Sequence, residues 1–138
     1  MQNLFKISTV LIFLSASFFT SCKKDDNSST LSTNTIVTSG SWRVTYYHEI
    51  NDDHTSDFNG YTFIFNSNGT IAATNSSGTT NGSWSSDDSN NEVHIDLGNI
   101  DPLKELSKGW LVISKTETEI KLQDDNSAHT EELHFTKN

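Results

Sequence analysis

The chain predicts an all-β fold: eight short antiparallel strands closing up-and-down into a barrel, with one short helical turn near residues 101–107. Three observations lead there. Trp, Val, Tyr, Phe and Ile recur with period two, which turns alternate side chains to opposite faces of a strand. Clusters of Gly, Asn, Asp and Ser separate the runs at hairpin length. Strands this short expose unpaired edges unless the sheet closes on itself.

The first run is Ser41 to Glu49, with Trp42, Val44 and Tyr46 on one face. The second is Tyr61 to Asn66, with Tyr61, Phe63 and Phe65 on one face. Asn68-Gly69 follows, a pair that accepts the positive φ of a tight turn, and leads into Thr70 to Thr74. Asn81-Gly82 opens a fourth run through Trp84 to about Ser86. Glu92 to Leu97 alternates Val93, Ile95 and Leu97 against His94 and Asp96. Lys108 to Lys115 is apolar on both faces from Trp110 to Ile113. Glu119 to Gln123 and Glu131 to Thr136 complete the set, carrying Ile120, Leu122, Leu133 and Phe135. The break in the pattern is Asp101-Pro102-Leu103-Lys104-Glu105-Leu106. A capping residue before proline, then leucines three apart, predicts one helical turn covering an end of the barrel.

Ahead of the strands, Lys6 gives a positive start and Ile7 to Phe19 forms a run of 13 mostly apolar residues. That is short of the roughly 20 residues a spanning helix needs, and it suits a secretory signal. Phe19-Thr20-Ser21-Cys22 resembles the lipobox of bacterial lipoproteins, in which cleavage precedes a cysteine that then carries diacylglyceryl and acyl chains such as palmitate. Several acyl chains at about 0.8 kcal/mol per buried CH₂ anchor a protein durably. The competing reading is an ordinary signal peptide or uncleaved anchor with an incidental cysteine. The expected division is a lipoprotein signal peptide at 1–21, lipidated Cys22 and a disordered tether at 22–37, and the barrel at 38–138. Lys23-Lys24-Asp25-Asp26 resembles an export signal for surface lipoproteins of some Gram-negative lineages; a solvated tether is the plainer reading. The expected location is the cell envelope, as an outer-membrane lipoprotein facing either the periplasm or the cell surface.

Removing residues 1–21 leaves eight basic against 18 acidic side chains, a formal charge of −10. Such a chain is not suited to nucleic acid or to electrostatic docking on anionic lipid. With its single cysteine acylated it has no thiol for a disulfide, and the fold rests on its apolar core. No cofactor is expected. Asn51-Asp52-Asp53-His54-Thr55-Ser56-Asp57 superficially resembles a calcium loop, but Ser56 and Thr62 stand where glycine and an acid belong. The five histidines show no zinc-binding spacing, so no metal is expected. There is no G-x-S-x-G elbow and no phosphate loop, and the acids lie as adjacent pairs in loops. The chain reads as non-enzymatic.

Gly40-Ser41-Trp42 looks like the G-x-W motif of lipocalins, and the order of motifs after it resembles short lipocalin-like domains of bacterial lipoproteins. Those motifs are Tyr61 to Thr70, Gly82-Ser83-Trp84 and Gly109-Trp110-Leu111-Val112-Ile113. The resemblance implies that Trp42 closes the bottom of the barrel and that a ligand lies inside. The candidate contacts are Trp42, Tyr46, Tyr61, Phe63, Trp84 and Trp110, with Tyr46, Tyr61 and His48 near the rim. The plainer reading, and the favoured one, is that these residues are simply the core. Two functions follow: a lipid-anchored module binding a small apolar or aromatic molecule through Trp84 or Trp110, or an interaction protein with a packed barrel and no pocket. Membrane contact comes through the lipid on Cys22; a protein partner is not specified.

Overall fold

The computed structural model describes residues 30–138; the expected signal peptide at 1–21, Cys22 and the charged tract after it lie outside the described residues. Nine strands form one sheet: β1 (Ser41–Glu49), β2 (Asp52–Asp53), β3 (Thr62–Phe65), β4 (Thr70–Asn75), β5 (Gly78–Asp87), β6 (Glu92–Asp96), β7 (Gly109–Lys115), β8 (Glu119–Asp124) and β9 (Glu131–Lys137). Every pairing is antiparallel. β1 pairs with both β3 and β9, so eight strands close into a barrel, while β2 is a short extra strand folded back on β1. The fold class predicted from alternation is the one observed.

The side chains inside come from alternate positions. Trp42, Phe63, Ile71, Ile95, Trp110 and Leu133 are all wholly buried. Phe135 meets Phe63 and Phe65 edge-on at 5.2 and 5.6 Å, an arrangement favoured by the ring quadrupole.

Two β-bulges alter the expected alternation. In β1 the register shifts between Val44 and Tyr46. The extra residue, Thr45, turns every later side chain to the other face. Tyr47 is therefore buried in the core and Tyr46 stands outside, the reverse of the sequence expectation. Tyr46 stacks instead on His48 and His134, with centroids 4.1 and 4.5 Å apart. In β7 the register shifts between Val112 and Ser114, and Ile113 is exposed.

The two Asn-Gly pairs part company. Gly69 has φ +83° in the turn between β3 and β4, as predicted. Asn81-Gly82 is no turn: it lies inside β5, with Gly82 opposite Ile71. Glycine is needed there because a Cβ would run into the Asp96 carbonyl of β6. The actual turn is at Asn75 to Gly78, where Asn75 Oδ1 accepts from Ser77 N at 2.9 Å.

Residues 33–37, expected as part of a disordered tether, are folded. Thr33–Val37 forms a helix, α1, capped by Ser32, with Ile36 and Val37 buried against the barrel. Five residues cannot hold a helix in isolation; tertiary contacts do. Asp88 accepts from Thr33 N at 3.0 Å and from Thr33 Oγ1 at 2.7 Å, and Lys115 Nζ donates to Asp88 at 2.7 Å. The predicted turn near 101–107 is a 3₁₀ helix at Leu103–Leu106, preceded by Pro102 and burying both leucines. A second 3₁₀ turn at Thr55–Phe58, which alternation did not reveal, buries Phe58. Among the described residues no helix is long and apolar enough to cross a membrane.

Candidate functional site

The barrel has two unlike ends. The base lies where β1 begins. Trp42 pairs across to Phe63 on one side and Lys137 on the other, so it sits at the seam of three strands. Its Nε1 donates to Val37 O at 2.7 Å, which ties α1 under the barrel. Trp42 thus closes the bottom, as the G-x-W motif implied.

The mouth lies where β1 ends. The two 3₁₀ turns face each other there across a pocket of about 480 Å³. Small-molecule pockets run from roughly 300 to 1,000 Å³. Tyr47 and Phe58 supply its aromatic surface, in a T-shaped pair 5.3 Å apart. Glu49, His54 and Asp57 line the side of the first turn, and Asp101, Pro102 and Glu105 the side of the second. His54 Nδ1 lies 3.3 Å from Asp57 Oδ2. Lys104 Nζ pairs with Asp101 at 2.6 Å and with Glu105 at 3.7 Å.

Beneath the mouth is a polar network. Tyr47 Oη donates to Glu131 Oε2 at 3.2 Å. Lys108 Nζ donates to the same Glu131 oxygen and lies 3.7 Å from Asp124 Oδ2 and 5.4 Å from the centre of the Trp110 ring. Asp124 also accepts from Asn126 N at 2.6 Å, and its Oδ2 lies 3.4 Å from His129 Nδ1. Burial, and secondarily the Glu131 charge, pushes the Tyr47 phenol well above its ordinary range, so it stays protonated and donating. Asp124 and Glu131 are 4% and 5% exposed, and Lys108 is the cation that compensates both. Asp124, His129 and Glu131 place possible metal ligands within 4.8 Å of one another. Because the Lys108 ammonium already serves both carboxylates, the group reads as an ion-pair network. Among the described residues every buried side-chain nitrogen or oxygen has a partner.

The six residues singled out from sequence do not converge. Trp42, Phe63 and Trp110 are core, at 0% exposure. Trp110 Nε1 donates to Leu106 O at 3.0 Å, holding the second 3₁₀ turn down. Trp84 is buried and its Nε1 donates to Asn66 O at 2.9 Å. Tyr46 is outside. Tyr61 is half-buried and lines a smaller hollow of about 250 Å³ with exposed Ile100. None of the six lines the mouth pocket. Tyr47 and Phe58 were missed, the first because of the bulge, the second because it stands alone in a polar loop. The 51–57 loop does not gather as a calcium site: Asp52 and Asp53 pair as β2, and Asp53 Oδ1 caps Thr55 N at 2.9 Å. The Thr55 hydrogen bonds hold the Asp53 carboxyl below its ordinary range.

No family model matches the chain, and no curated protein matches it. Among solved structures, the fold is similar to that of a DUF4847 family protein from Bacteroides vulgatus ATCC 8482, with a TM-score of 0.61 and 15% sequence identity. The match covers 78% of this chain and 98% of that one. At this identity the likeness is one of fold.

Proposed function

We propose that the chain is a lipid-anchored, non-enzymatic envelope protein whose lipocalin-like barrel binds a small molecule at its mouth rather than within it. The observation that carries this reading is the pocket of about 480 Å³ over a barrel already filled by its own side chains. Tyr47 and Phe58, both buried, close the pocket from below, and Pro102 lines it beside them. The tryptophans expected to contact a ligand are committed to main-chain carbonyls and to the core. Saturable binding of a neutral aromatic probe to the full-length chain in detergent is the test, followed by calorimetry. Phe58→Ala should abolish it and Tyr46→Ala should leave it intact. Binding that survives Phe58→Ala, or no saturation with any probe, overturns the mouth as the site.

The anchor rests on the lipobox resemblance at Phe19-Thr20-Ser21-Cys22, and outer-membrane placement on the tract that follows. Cys22→Ser should lose incorporation of a fatty-acid analogue and leave the membrane fraction. Equal labelling of the two chains would refute lipidation. A second reading, a packed barrel that meets another protein, is favoured by the filled interior and by exposed Ile50, Ile64 and Ile113. It gains if no probe saturates.

A further inference from the structure

We infer that a second hollow, at the β4–β5 hairpin, is a site for a neutral sugar ring: an uncharged pyranose, free or at the end of a longer glycan. It shares no lining residue with the mouth pocket and does not rest on the reading above. Tyr61, Asn75, Ser77, Thr79 and Thr80 line it, and Ile100 joins them from the loop before the second 3₁₀ turn. The register explains the grouping. Asn75 is in phase with buried Ile71 and Ala73, and Thr80 pairs with Ala73. Tyr61 is in phase with buried Phe63 and Phe65 and stacks on Phe63 at 6.0 Å. The inward row is therefore apolar as far as Phe63 and Ala73, and beyond them it turns to hydroxyl and amide groups.

Charge sets this region apart. Between Asp57 and Asp87 there is no Asp, Glu, Lys, Arg or His, in a chain that carries 18 acids. More than half of the positions between them are Ser, Thr or Asn. The hollow also has hydrogen-bonding capacity to spare. Asn75 Oδ1 accepts from Ser77 N at 2.9 Å, and the Thr79 hydroxyl meets that of Thr74 at 2.9 Å. Among the described residues, the hydroxyls of Tyr61, Ser77 and Thr80 have no partner within the protein.

These groups select among ligand classes. An ion would give up hydration and meet no countercharge. A wholly apolar molecule would strip water from the hydroxyls and replace none of their hydrogen bonds. A pyranose carries both surfaces the hollow asks for. Its hydroxyls donate and accept, as Ser, Thr, Tyr and Asn side chains do. Its C–H groups are apolar and slightly positive, which suits the Tyr61 ring and Ile100. At about 250 Å³ the hollow falls below the roughly 300–1,000 Å³ of sites for drug-sized ligands, so it takes one ring rather than an extended system.

The test is saturation-transfer NMR on the full-length chain in lauryldimethylamine oxide, a detergent without a sugar headgroup. The probes are the methyl glycosides of glucose, galactose and mannose, each beside its uronate, the same ring with a carboxylate at C6. At least one neutral glycoside should saturate, and bind about tenfold more tightly than its uronate. Tyr61→Phe with Thr80→Val removes two hydroxyls and keeps the volumes. It should weaken sugar binding about tenfold with the melting temperature unchanged. Ser77→Ala, at the exposed turn, is the milder variant and should weaken it less. Sugar binding unaffected by all three substitutions overturns the hollow as its seat. A uronate that binds as tightly as its neutral ring overturns selection for an uncharged ligand. Failure of all three neutral glycosides to saturate overturns the site.

Discussion

The base and the mouth of this barrel are closed by different physics. At the base, α1 and Trp42 seal the interior with apolar contact: Ile36, Val37 and Trp42 are at most 2% exposed. The charged groups there, Asp88 and Lys115, stand at the edge and fasten α1 from outside. At the mouth the order is inverted. Leu103, Leu106 and Phe58 are buried there, but buried ions share that end of the barrel and acids line its pocket. The base spends its residues on closure, whereas the mouth keeps a concave, charged surface open to solvent. A lid that must only hold can be apolar throughout; a surface that meets solutes keeps polar groups and needs an internal cation to make them tolerable.

The sharpest way to break this comparison is Trp42→Ala. Truncating a buried tryptophan costs about 3–5 kcal/mol, and it also leaves the Val37 carbonyl without its donor. Chemical denaturation should show most of the net stability gone. An unchanged midpoint would mean the base is not fastened through this residue. Lys108→Met is the matching test at the mouth. It keeps the stem over Trp110 but leaves Asp124 and Glu131 together without a cation. Removing one partner of a buried ion pair costs about 3–5 kcal/mol; with the Lys108 side chain 25% exposed, about 3 is expected. Lys108→Arg, which keeps the positive charge, should lose much less. A loss as large in Lys108→Arg as in Lys108→Met would indicate packing rather than charge.

Asp88→Asn gives the smallest effect and sharpens the comparison at the base. The Lys115 and Thr33 hydrogen bonds lower the Asp88 carboxyl from 3.8 to about 2. A folded-state value below the unfolded one adds stability that is complete above pH about 4 and lost as pH falls through about 2. The side chain is 39% exposed, so solvent screening limits the contribution to about 1 kcal/mol. Acid titration of stability should show this component in the parent chain and not in Asp88→Asn. Identical acid profiles would mean that α1 is held by Ile36 and Val37 alone.

These two ends were not equally legible in the sequence. The base was, because Gly40-Ser41-Trp42 is a local signal and the alternation after it needs no knowledge of distant residues. So were the strands themselves, whose ranges differ from expectation by a residue or so in β1, β6, β7, β8 and β9. The mouth was not. One inserted residue, Thr45, exchanged Tyr46 for Tyr47, and nothing in the residue types announces a bulge. Phe58 is a lone aromatic amid Asp, Ser, Asn and Gly, with no period to place it. Asn81-Gly82 has the composition of a turn, yet what decides its place is a backbone approach to β6 that only the closed sheet creates. α1 was hidden for a similar reason: two apolar residues in a Ser/Thr tract carry little signal until Asp88 and Lys115 arrive from the other side of the sequence.

The attachment of α1 at the base also gives the molecule a direction. The chain enters the fold beside Trp42, at the opposite end of β1 from Glu49. Ten residues separate Cys22 from Thr33, a reach of at most about 35 Å. In a chain anchored as proposed, the lipid would attach on the α1 side of the fold, at the end of β1 away from the acids of the mouth.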